Sequence, residues 1–124
     1  MNAAQRFQVS VQAEADRVVV RLQGELDLVG SPLLAGELER AEADRPALVV
    51  LDVSALEFID SAGLRVILGA NARLRERGAE LALTPGRPQV QRLLSITGIE
   101  ELLRVVPAPQ AAPLPPTNGS APPA

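Results

Sequence analysis

Cysteine, histidine, lysine, tryptophan and tyrosine are all missing from this 124-residue chain, and Phe7 and Phe58 are its only aromatic residues. Without Cys or His there can be no disulfides, thiolate nucleophiles, zinc-finger ligands, Ser-His-Asp triads or imidazole acid-base groups. Most familiar hydrolase mechanisms go with them. Two phenylalanines cannot build the aromatic platforms on which unpaired bases stack. A net charge of -3 gives no general attraction to nucleic acid. Long apolar runs are lacking too: no stretch approaches the roughly 20 residues of a membrane span, and no apolar segment follows a basic start. The chain is therefore expected to be cytoplasmic and not an enzyme, with no cofactor and no direct contact with nucleic acid or membrane.

What is present suits one folded unit. Hydrophobic residues make up 47% and charged residues 22%, so a core is available, built from Leu, Val, Ile and Ala. All 12 basic residues are Arg. In a chain also rich in Ala, Gly and Pro, we take this as the codon-usage signature of a GC-rich genome.

Period-two alternation at Phe7, Val9, Val11 and Ala13 predicts a half-exposed strand. Glu14 to Arg17 turns the chain, and Val18 to Leu22 predicts a second strand ending at Gly24. Ser31-Pro32 predicts a helix start, with the serine accepting from an early backbone N–H and proline at the first helical position. Leu34, Leu38 and Ala41 share its inner face, and Pro46 should stop it near Asp44-Arg45. Ala47 to Leu51 is a continuous apolar run ending in Asp52, the pattern of a central strand covered on both faces.

Val53 to Asp60 is expected as a connection, followed by a helix from Asp60-Ser61 to about Arg77, with Gly78 beyond it. Leu64, Ile67, Leu68 and Leu74 are its expected core residues. Ala79 to Leu83 predicts another strand. Pro88 opens a helix with Val90, Leu93 and Leu94 inward and Gly98 at its end, and Leu103 to Val106 is a last strand. Strands alternating with helices predict the α/β class, with a mostly parallel sheet and an antiparallel first hairpin.

From Pro107 onward, seven of the 11 prolines lie among small and polar residues, with Leu114 the one large apolar side chain. The expected division is a domain over 1–106 and a disordered Pro/Ala-rich tail over 107–124. Pro113 to Pro116 spells a minimal P-x-x-P, to which we give no functional weight in so proline-rich a segment.

One stretch holds the chemistry. In Phe58-Ile59-Asp60-Ser61-Ala62-Gly63-Leu64 a polar pair interrupts an apolar approach and opens a helix. Asp60 or Ser61 serves as its N-cap. Ser61 is also a candidate phosphorylation site, because a hydroxyl at a helix N-terminus is accessible and the dipole tolerates an added anion. The two roles are compatible. Ala62, Val66 and Gly69 form a small-residue face beside Arg65, suited equally to internal packing and to a partner.

Asp52 invites comparison with the phospho-accepting aspartate of a receiver domain. The partners are missing: the first strand ends without an acidic pair, and there is no lysine. Asp52 is expected instead at a strand end or turn. Nucleotide binding lacks both G-x-x-x-x-G-K-[ST] and G-x-G-x-x-G. Arg73, Arg75 and Arg77 suit the C-terminal end of their helix and solvent.

Taken together, Gly24-Glu25-Leu26-Asp27, the strand Leu48 to Asp52, Phe58 to Leu64 and the segment Val90 to Gly98 resemble the STAS domain of anti-sigma factor antagonists, over about Phe7 to Val106. The D-S-x-G-L core followed by Val66-Ile67-Leu68-Gly69, in this order of strands and helices, carries the likeness. It implies a mixed sheet of about five strands flanked by helices. It also implies a serine, Ser61, phosphorylated by a partner that is both serine kinase and anti-sigma factor, and reset by a serine phosphatase. Asp27 would lie in the loop beside it. The partner-facing surface would then comprise Asp27, Asp60, Ser61, Ala62, Gly63, Arg65, Val66 and Gly69. Arg65 stands where the best-known members carry glycine, and could pair with a phosphate on Ser61. A STAS subunit that scaffolds a larger regulatory or transporter assembly, without a phosphorylation cycle, is the alternative.

Overall fold

The computed structural model describes residues 6–108; of the expected tail, all but Pro107 and Ala108 lies outside them. The elements run β1 (Phe7–Ala13), β2 (Val18–Leu26), α1 (Ser31–Glu42), β3 (Leu48–Ile59), α2 (Ser61–Glu76), β4 (Glu80–Leu83), α3 (Pro88–Thr97), α4 (Ile99–Leu102) and β5 (Arg104–Val105). The five strands lie in sequence order across one sheet. β1 is antiparallel to β2, and every later pairing is parallel. The expected α/β class, hairpin and central β3 are all present.

Register explains the layering. Phe7, Val18, Val20, Leu22, Val49, Leu51, Val53, Leu81 and Leu83 share one face of the sheet and are buried. They form a single cluster with Leu34, Leu38 and Ala41 of α1, Leu64, Ile67, Ala70 and Leu74 of α2, and Val90 and Leu94 of α3. The apolar stripes of the helices therefore close over this face. On the opposite face Val19, Val50 and Ala82 are also buried. Their row explains the unbroken apolar run in β3.

Several expectations are corrected. The segment expected as a connection from Val53 belongs to β3, which continues to Ile59 alongside an equally extended β2. β3 carries an additional residue twice in this stretch, where Arg21 and Gln23 face Asp52 and Ala55, and where Gly24 and Glu25 face Leu56 and Phe58. Each bulge reverses the alternation of side chains, which hides a strand from a period-two reading. β2 passes through Gly24 at φ 91°, and a Cβ there would lie 2.0 Å from the Arg6 carbonyl oxygen. Only glycine fits that approach.

Ser31 does not cap α1. Gly30 is the N-cap residue, Ser31 is already helical, and its Oγ donates to the Leu28 carbonyl at 3.3 Å. Leu68 is exposed rather than core, because it falls on the outer stripe of α2. Asp52 lies inside β3, not at its end. The short α4 lies between α3 and β5, a turn of helix absent from the expected order. No helix among the described residues is long and apolar enough to cross a membrane.

Candidate functional site

At Ile59 the chain leaves the sheet and turns into α2. The Asp60 amide donates to the Leu26 carbonyl at 3.1 Å, so the turn starts at the matching end of β2. Asp60 itself is extended, at φ -114° and ψ -174°, and its Oδ1 accepts from the amides of Ala62 at 2.9 Å and Gly63 at 3.1 Å. The Asp60 carbonyl takes the Leu64 amide at 3.0 Å. Asp60 therefore does the capping, and the exposed Ser61 hydroxyl is not needed for it.

Gly63 is buried. A Cβ there would lie 2.7 Å from Cγ and Cδ2 of Leu26 and 3.1 Å from Ile59, so its absence lets α2 sit close on β2 and β3. Gly63 therefore supports the surface from beneath. Ala62, Val66 and Gly69 are half-buried, and Val66 packs against the core cluster. The stripe one residue earlier in each turn, Ser61, Arg65 and Leu68, is exposed.

The β2–α1 loop rises from the neighbouring strand. Asp27 Oδ1 accepts from the amides of Val29 at 3.0 Å and Gly30 at 3.1 Å, and its Oδ2 accepts from Arg6 Nη2 at 2.7 Å. The Gly30 amide, with that of Val29 and the Arg6 guanidinium, holds the Asp27 carboxyl below its ordinary pKa against partial desolvation. With its own carboxylate so engaged, Asp27 fixes the loop and leaves Leu28 at 73% and Val29 at 62% exposure. Leu33 and Phe58 are also exposed, Phe58 lying opposite Glu25 in the β2–β3 pairing.

These apolar residues were not singled out from the sequence. A signal existed for two of them, since Leu28-Val29 stands in a polar-flanked turn where apolar side chains have no local partner. Phe58 stands in sequence within an apolar approach, and the bulges conceal that it points outward.

Asp52 has no such surface role. The residue is buried, and its carboxylate accepts from Arg21 Nε at 3.2 Å, from the Ser54 amide at 3.0 Å and hydroxyl at 2.6 Å, and from Thr84 Oγ1 at 3.2 Å. Arg21 of β2, Asp52 of β3 and Thr84, the residue just after β4, thus form a polar row. No group of three or more His, Cys, Asp or Glu side chains suited to a metal ion occurs among the described residues.

The STAS domain model matches residues 7–112. The chain belongs to the STAS domain family. Among curated STAS relatives, the anti-sigma F factor antagonist of Paenibacillus polymyxa is 32% identical over 100 residues, covering 80% of this chain and 86% of its own length. An anti-sigma factor antagonist from Mycobacterium paratuberculosis has a crystal structure that superposes with a TM-score of 0.75 at 27% identity, covering 86% of this chain and 91% of that one. The Bacillus cell fate determinant SpoIIAA, in its phosphorylated form, shares the fold with a TM-score of 0.62 at 22% identity, covering 81% and 90%. The STAS fold is thus established for this chain, and its β3–α2 turn holds the D-S-x-G-L sequence.

Proposed function

We propose that this STAS domain is an anti-sigma factor antagonist: it binds an anti-sigma factor with serine kinase activity, thereby releasing a sigma factor, and is switched off by phosphorylation of Ser61. One observation carries the reading. Asp60 satisfies the helix start, so the Ser61 hydroxyl is exposed at the head of a rigidly held helix and is free to react.

The partner surface comprises Asp27, Asp60, Ser61, Ala62, Arg65, Val66 and Gly69, with Gly63 beneath. Leu28, Val29, Leu33, Phe58 and Leu68 add the exposed apolar area that a binding surface needs. The names of the relatives support the target class. This chain brings no nucleotide-binding loop, so the kinase supplies its own ATP. A serine phosphatase resets the switch, and the cycle runs in the cytoplasm.

Phosphate adds about -1.5 to -2 charges beside Asp60, at a surface fitted to a neutral hydroxyl. Like charges across an interface cost several kcal/mol, and roughly 1.4 kcal/mol already changes affinity tenfold. No refolding is required. SpoIIAA shares this fold in both its unphosphorylated and its phosphorylated forms.

The test is incubation with the anti-sigma factor and ATP, followed by intact mass and tryptic mapping. One phosphate on Ser61, stable to hydroxylamine and lost in Ser61→Ala, is the expected result. Equal labelling of Ser61→Ala would overturn the site. Tight binding with no labelling at all would leave the scaffold role in its place.

A further inference from the structure

We infer that Arg65 closes onto the phosphate of phosphorylated Ser61, making an internal ion pair that defines the off state; this rests on the phosphorylation reading above. The helix end offers the phosphate little beyond the amide of Ser61 itself. The amides of Ala62 and Gly63 are already engaged by Asp60 Oδ1, and that of Leu64 by the Asp60 carbonyl. What the phosphate meets first is therefore a neighbouring carboxylate, and it needs a cation from a side chain.

The nearby cations differ in availability. Arg6 is tied to Asp27 at 2.7 Å and Glu25 at 3.4 Å, and Arg21 to Asp52 at 3.2 Å. Further along α2, Arg73 is clamped on Glu42. Arg65 is exposed and takes part in none of the ion pairs among the described residues. It stands four residues after Ser61, one turn on and on the same stripe. Side chains of a helix lean toward its N-terminus, so Arg65 tilts toward Ser61, and an anion four residues before a cation is the favourable order. The guanidinium offers a fork of donors matched to phosphate oxygens.

Phosphorylation then changes the surface twice. It adds an anion, and it withdraws from the partner the one exposed cation of this stripe. A glycine at position 65 would leave the phosphate to solvent.

The test places phosphoserine at position 61 by genetic encoding, so that it needs no kinase, in the full chain and in Arg65→Ala and Arg65→Lys. Phosphorus NMR then follows the second ionisation of the phosphate. An i,i+4 ion pair should lower that pKa by about 0.15–0.4 relative to Arg65→Ala, with Arg65→Lys in between. The Arg65 Nε–H resonance should shift with the same midpoint. Superimposable titrations in all three proteins would overturn the pairing. Because the phosphate is installed, that failure is separate from failure of a kinase to label Ser61.

Discussion

Asp60 joins Leu26 through its amide, at 3.1 Å, while its carboxylate caps α2. One residue therefore fixes the end of β2 to the head of the helix that carries Ser61. The geometry of the site is set by the sheet, before any partner arrives. The proposed phosphorylation of Ser61 would then change charge here without changing shape.

Replacing Asp60 separates these contributions. Asp60→Ala loses both capping bonds, at a cost of about 1 kcal/mol, with a smaller loss from the helix dipole. Asp60→Asn keeps an acceptor at the cap and should be nearly as stable as the parent. Urea unfolding of the two variants should show a clear drop in midpoint for the alanine variant and little for the asparagine one. An equal drop in both would mean that charge, rather than capping, matters at this position.

Asp27 should report on the β2–α1 loop through pH. Its carboxyl ionises more readily folded than unfolded, chiefly because the Gly30 amide donates to it. A depressed folded pKa stabilises the fold fully above the unfolded value, about 3.9, and the contribution fades as pH falls through the folded value. The stability difference between the parent and Asp27→Asn should thus be level at neutral pH and shrink in acid below about pH 4. A difference that stays constant into acid would remove Asp27 as the titrating group.

Gly63→Ala tests the close approach of α2 to the sheet. Alanine is intrinsically better in a helix by roughly 0.5–1 kcal/mol. Against this, the new Cβ meets Leu26 at 2.7 Å, at a side chain that is itself fully buried. Overpacking of this kind costs about 1–3 kcal/mol, so the clash outweighs the propensity gain. Thermal unfolding should show a lower midpoint, with the helix start displaced outward.

Much of this architecture was legible in the sequence because local signals agreed with the fold. The hairpin, the apolar run of β3, the inner faces Leu34, Leu38 and Ala41 of α1, and the D-S start of α2 all follow from spacing and cap chemistry. The failures have physical causes. Two bulges break the alternation of β3, so its second half reads as a connection. Ser31 looks like a cap, but Asp27, four residues earlier, binds the loop amides first. Leu68 satisfies a three-or-four spacing with Leu64, yet the stripe has turned outward by that position. Asp52 ends an apolar run in sequence while its partners come from elsewhere, Arg21 from β2 and Thr84 from the residue just after β4. No local rule brings those three together.

The exposed apolar residues should separate binding from folding. Leu28→Ala removes surface that solvent already reaches, so stability should change by no more than about 0.5 kcal/mol, whereas Phe58 is half-exposed, and Phe58→Ala should cost about 1 kcal/mol and stay folded. If these side chains anchor the anti-sigma factor, affinity should fall roughly tenfold or more, the loss expected of a buried hot-spot residue. Calorimetry on the purified pair reads this directly. Unchanged affinity in both variants would move the interface away from the β2–α1 loop and the end of β3.

Asp52 provides the sharpest contrast with Ser61, because both are candidate phosphate acceptors and their surroundings are opposite. Ser61 is exposed and uncommitted, whereas each Asp52 oxygen faces donors: Oδ2 meets Arg21 Nε, and Oδ1 meets the Ser54 amide, its hydroxyl and Thr84 Oγ1. Thr84 Oγ1 in turn accepts from the Val53 amide at 2.9 Å, which leaves its proton for Asp52. Asp52→Asn must present its NH2 to one of these donor sets, whichever way the amide is turned. An unmet buried donor costs about 1–3 kcal/mol, so the variant should unfold at distinctly lower urea while remaining folded in its absence. Phosphate uptake should be unaffected, since the proposed acceptor, the Ser61 hydroxyl, lies on α2. Loss of labelling in folded Asp52→Asn, with the parent's phosphate cleaved by hydroxylamine, would transfer the modification to the aspartate and end the case for Ser61.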